Sequence, residues 1–91
     1  MKQSDIHFDV NSWERFAKLF EKKWLYFGNK EKILSLTKND SLMAMVISQV
    51  GRSPETWLST KVAALDNKTP LWCINNGRDK KLKMILMNMS W

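Results

Sequence analysis

Three glycines and two prolines are the only strong backbone punctuation in this chain of 91 residues. Gly28, Gly51 and Gly77 each follow a helix-like segment, where a residue able to take left-handed backbone angles is wanted just past the helix end. Pro54 follows Ser53 and Pro70 follows Thr69. Both pairs read as helix starts, with a hydroxyl to cap free N–H groups and a proline whose missing N–H would have had no partner. Helices cut at these points are short. The only strand-like alternation, Ile6, Phe8 and Val10, has no second run to pair with, so it reads as an extended arm laid on a helical body.

The segments between the punctuation carry helical periodicity. Trp13, Phe16, Ala17, Phe20, Trp24 and Phe27 share one side of a helix expected over Ser12 to Phe27, with Asn11 as N-cap and Glu14 at capping-box spacing. A second, short helix is expected from Lys30 to Leu36 after Asn29. A third starts at Asp40 or Ser41 and ends near Val50. Its middle, Leu42 to Ile47, is apolar on all sides, which makes it the central helix; methionine and alanine favour helix over buried strand there. The fourth opens at Pro54 and either stops near Ser59-Thr60 or runs toward Ala64. The fifth runs from Pro70 to Asn76. The last covers Asp79 to Asn88, with Leu82, Ile85, Leu86 and Met89 inward. The expected fold is all-α: one domain over residues 1–91, a compact bundle of five or six short helices with an N-terminal extended arm. Its apolar share of 44% and five tryptophans suffice for a core without staples.

Charge is uneven along the chain. Residues 60–91 carry six basic and two acidic groups, which is +4 of the total +6. That excess would attract phosphates or an acidic protein surface, or simply solvate a helix face. The single cysteine, Cys73, allows no internal disulfide and no cysteine-rich metal site. No basic-plus-apolar leader is seen, and the longest uncharged run, Ser41 to Gly51, is too short to span a bilayer. The expectation is a cytoplasmic protein with no membrane association.

Signals of catalysis are sparse. The only histidine, His7, lies in the arm, and Cys73 sits between Trp72 and Ile74 in a helix, as a buried thiol would. Asp5, His7 and Asp9 are the only locally spaced ligand candidates, and such spacing arises by chance. The glycines are isolated, so there is no phosphate-cradling loop. No catalytic residue, cofactor or metal is expected, and the chain reads as a non-enzyme. Arg78, Lys80, Lys81 and Lys83 gather at a helix start, where positive charge opposes the helix dipole. That placement favours phosphate contact, yet beyond Asn75 and Asn76 just before it no asparagine or glutamine is set for base reading, so only nonspecific nucleic-acid contact follows.

Trp57-Leu58, then Ala64 to Leu71 with the core Leu65-x-x-Lys68-Thr69-Pro70-Leu71, then Gly77 and an apolar helix with Leu82 and Ile85-Leu86, resemble the toxin-binding domain of the Xre/MbcA/ParS antitoxin family. Val50 to Glu55 resembles that domain's lead-in. The resemblance covers residues 50–91. Asp66-Asn67 stands where the family has two glycines, a change a turn accepts. The family's spacer Pro-Asn is absent, and residues 1–49 do not resemble its usual DNA-binding helix-turn-helix. The resemblance implies an antitoxin whose C-terminal region covers the active-site entrance of a partner toxin, often a RES-domain enzyme that consumes NAD. Arg78, Lys81, Met84, Met87, Met89 and Trp91 are then the partner contacts, with Leu65, Thr69 and Pro70 structural. The alternative is a small basic nucleic-acid-binding or phage-type regulator. Methionine-rich helical surfaces also self-associate, which brings in a homodimer.

Overall fold

The computed structural model describes residues 8–51 and 53–89. Among them run seven α-helices: α1 (Val10–Lys18), α2 (Glu21–Leu25), α3 (Lys30–Leu36), α4 (Ser41–Ile47), α5 (Pro54–Leu58), α6 (Pro70–Asn75) and α7 (Asp79–Asn88). A 3-10 turn, Ala63–Leu65, separates α5 from α6. No strand forms among the described residues; the only extended pairing is an isolated antiparallel bridge between Val62 and Lys68. The fold is the all-α bundle that the punctuation predicts.

Burial explains the arrangement. Met43, Ala44, Met45, Val46 and Ile47 are all buried, so beyond Leu42 helix α4 has no solvent face and must be wrapped. Helices α1 and α3 pack against it, α1 through the buried side chains of Trp13 and Ala17 and α3 through Ile33. Helix α7 packs on α1, α6 and the 3-10 turn, and inserts Leu82 and Leu86, four residues apart on one face, into the same core. Polar groups drawn inside are satisfied locally. The Thr37 hydroxyl donates to the Ile33 carbonyl at 2.9 Å and the Ser48 hydroxyl to the Met45 carbonyl at 2.7 Å. Among the described residues no buried side-chain polar atom lacks a partner.

Three helices carry the caps their sequences ask for. Asp40 accepts from the Met43 N–H, Ser53 from Thr56 and Thr69 from Trp72. At the N-terminus the start lies two residues earlier than expected. Asp9, not Asn11, is the cap: its carboxylate accepts the Asn11 N–H at 3.0 Å and the Ser12 hydroxyl at 2.8 Å. These bonds, the Ser12 one foremost, hold the Asp9 carboxyl below its ordinary range. Val10 therefore begins a helix, and the expected arm falls on residues outside those described, apart from Phe8 and Asp9.

The single long first helix is instead two. Leu19 and Phe20 donate to the carbonyls of Phe16 and Ala17, three residues back, and this tightened turn ends α1 before α2 begins. This is why seven helices stand where five or six were expected. Gly28 also departs from expectation. Helix α2 has already closed through bonds from Tyr26 to Lys23 and from Phe27 to Trp24, so Gly28 adopts no left-handed angle. Left-handed residues end α3 instead: Lys38 and Asn39 have φ of 59° and 65°, and the Asn39 N–H reaches back to the Leu34 carbonyl. Asparagine tolerates this conformation; lysine does so at a steric cost.

Because α4 is enclosed, its side chains cannot be shortened without leaving a void. Ile47→Ala is expected to lower unfolding free energy by about 2–5 kcal/mol. The same truncation at Leu19, which is 75% exposed, should change it by less than about 0.5 kcal/mol. Urea titration followed by circular dichroism measures both.

Candidate functional site

The segment from Val62 to Arg78 is closed by its own backbone hydrogen bonds and ends by launching α7. The Val62 N–H donates to the Lys68 carbonyl at 3.0 Å, and the Asn67 N–H returns to the Val62 carbonyl at 3.1 Å. Between them Asp66 and Asn67 take φ of 58° and 61°. These are the two positions where the sequence predicts a tight turn. Leu65 is buried and anchors the loop. Thr69 then caps α6, with Pro70 in its first turn.

Helix α6 ends in a Schellman motif. Gly77, at φ 67°, donates weakly to the Ile74 carbonyl, and the Arg78 N–H donates to the Cys73 carbonyl at 2.8 Å. Pro70 and Cys73, three apart, face the core. Trp72 lies off that face and is 37% exposed. The Lys68 ammonium sits 5.0 Å from the centre of its ring, a cation–π contact.

A groove of about 560 Å³ opens between this connection and α7. Buried Leu65 and Cys73, with Trp72 and half-buried Met84, supply its apolar wall. Lys68, Arg78, Lys80 and Lys81 line it as exposed cations, against a single carboxylate, Asp66. A second depression of about 390 Å³ shares Lys81 and Met84 and extends to Ile85, Asn88 and Met89. The two together make a continuous strip along the side of α7.

The basic cluster at the start of α7 does not act as one patch. Lys83 is drawn inward: it pairs with Asp79 at 3.1 Å and lies 5.7 Å and 5.5 Å from the rings of Phe8 and Trp13. Its charge is spent on holding α7 to the N-terminal part of the chain. Arg78, Lys80 and Lys81 are exposed, and no ion pair among the described residues involves them.

Of the expected contact residues, Arg78, Lys81 and Met84 meet at the groove, and Lys81, Met84 and Met89 meet at the second depression. Met87 is half-buried and packs on the core, outside both depressions. Trp91 lies outside the described residues. Lys80 stands in the basic cluster read for phosphate contact, while Lys68 and Trp72 were not among the expected contacts. For Trp72 the signal was present: with Pro70 and Cys73 inward at helical spacing, Trp72 falls between faces.

Cys73 is buried, and desolvation is the main reason its thiol titrates above its ordinary range. It behaves as core material rather than as a nucleophile. Among the described residues no three histidine, cysteine, aspartate or glutamate side chains gather as a metal site, and no helix is long and apolar enough to cross a membrane. No protein-family model, curated protein or solved structure matches the chain.

The geometry of the groove depends on Gly77. A Cβ there would meet nothing within 4 Å, so the cost of adding one is purely conformational. Gly77→Ala is expected to destabilise by about 1 kcal/mol. Gly28→Ala, where φ is not left-handed, should be neutral or slightly stabilising. Thermal melts of the two variants against the parent test the contrast.

Proposed function

We propose that this chain is an antitoxin-like binding protein that neutralises a partner toxin by covering the toxin's active site with its C-terminal region. One observation carries the reading. Helix α7 spends Leu82, Leu86 and Lys83 on the fold and keeps Arg78, Lys80, Lys81 and Met84 at a groove beside it. A fold that needed α7 only for stability has no use for three exposed cations in the first turns of a helix, where the dipole disfavours them. Polarisable methionine beside cations suits a protein surface that must adapt to its partner.

The resemblance at Leu65 to Leu71 supplies the partner class, a toxin of the RES-type NAD-consuming kind. The turn at Asp66-Asn67 and the Thr69 cap are compatible with that resemblance. On this reading the protein performs no reaction. It acts in the cytoplasm by occlusion, with Arg78, Lys81, Met84 and Met89 as the toxin contacts at the two depressions; Met87 and Trp91 are assigned to the contact by the resemblance alone.

A second reading, phosphate binding by a small basic regulator, draws on the same cations. The apolar wall of the groove favours a protein occupant, because phosphate contact needs no burial of Leu65, Trp72 or Met84.

Co-expression with the product of the adjacent gene tests the proposal. The expected result is relief of that product's toxicity and recovery of a stable complex, both lost when Arg78 and Lys81 are changed to glutamate together. Absence of toxicity relief and of a complex with the unaltered chain would remove the antitoxin reading. Tight duplex-DNA binding that falls steeply between about 50 mM and about 200 mM salt would favour the regulator instead.

A further inference from the structure

Resting on the protein-binding reading above, we infer that the groove between the Leu65–Trp72 connection and α7 receives an acidic segment of the partner carrying an apolar anchor side chain. Two independent properties of the groove define this occupant. Its wall is apolar, built from Leu65, Trp72, Cys73 and Met84, and its volume of about 560 Å³ lies within the range of pockets that enclose a ligand. Such a wall rewards burial of an aliphatic or aromatic side chain. Its rim carries four cations against one carboxylate, so the flanks of the inserted segment must be anionic.

Part of this rim is anchored, while the side chains of Arg78, Lys80 and Lys81 are exposed. Arg78 is fixed at its backbone by the bond to the Cys73 carbonyl, and Lys68 is seated over the Trp72 ring. Preorganisation of this kind reduces the ordering cost of binding. The arrangement also disfavours rival occupants. A second copy of this chain carries a net +6, and the same groove would present it with like charge. Nucleic acid would satisfy the cations but leave most of the apolar wall empty.

The test uses the full chain and fluorescein-labelled peptides followed by anisotropy. The probe has a central Leu-Phe pair with Asp and Glu on both sides. Its two controls replace the pair by Gly-Ser or the acidic flanks by Lys. The probe is expected to bind saturably and at least about tenfold more tightly than either control. Trp72→Ala and Lys81→Glu should each weaken it by about tenfold or more, with a larger effect at low salt for the charge change. Both sites are exposed, and an unchanged melting temperature will show that each variant is folded. Equal binding of the probe and the Gly-Ser control would overturn the inference, as would indifference to Trp72→Ala. So would a short DNA duplex that binds more tightly than the probe and loses affinity with Lys81→Glu but not with Trp72→Ala. A Trp72→Ala chain that loses the peptide yet still neutralises the partner would overturn the groove assignment and leave the proposed function standing. Peptide binding without neutralisation would do the reverse.

Discussion

From Met43 to Ile47 helix α4 cannot face water on any side, and the rest of the chain is arranged around that fact. From Met43 to Ile47 every side chain is buried, and Leu42 is half-buried. A helix of this kind is stable only when neighbours cover its whole circumference. Helices α1 and α3 flank it directly, and the same core cluster takes in Leu82 and Leu86 from α7. The hydrophobic effect thus couples the N-terminal half of the chain, which has no bearing on the candidate site by itself, to the C-terminal half, which does.

That coupling defines what α7 has left to offer. Its inner face is committed to the core, and Lys83 is committed to Asp79, Phe8 and Trp13. The α6–α7 junction is set by the Schellman motif at Gly77, and the loop before α6 is set by the left-handed pair Asp66-Asn67. What remains outward is a groove with an apolar wall and a cationic rim, fixed by backbone geometry on one side and core packing on the other. If the groove is the binding surface proposed above, it needs little rearrangement to engage a partner.

Much of the fold was legible because its signals are local. The expected ranges for α3 and α7, Lys30 to Leu36 and Asp79 to Asn88, are the observed ones. The Thr69-Pro70 start and the Asp66-Asn67 turn follow from side-chain chemistry within a few residues. The break after Lys18 was not legible, since Leu19 and Phe20 are ordinary helix residues and no glycine or proline marks the turn. The left-handed end of α3 was hidden for a related reason: Lys38 occupies a place usually given to glycine. Of the candidate site, the α7 residues could be read from charge and methionine content. The opposite wall could not, because Lys68 and Trp72 become neighbours of α7 only through the path of the 62–69 loop. Nor does a basic run in sequence tell which lysine is turned inward; that Lys83 and not Lys80 meets the aromatic rings depends on the rotation of α7.

Amide hydrogen exchange of the free protein probes the central claim most directly, that the core built around α4 holds α7 in place in the free chain. The account predicts that amides in Ala44–Ile47 exchange only through global unfolding, with strong protection also in α7 around Leu86. Exchange of α4 at rates near those of the exposed turns, or an unprotected α7 that becomes ordered only in the presence of a partner, would contradict it.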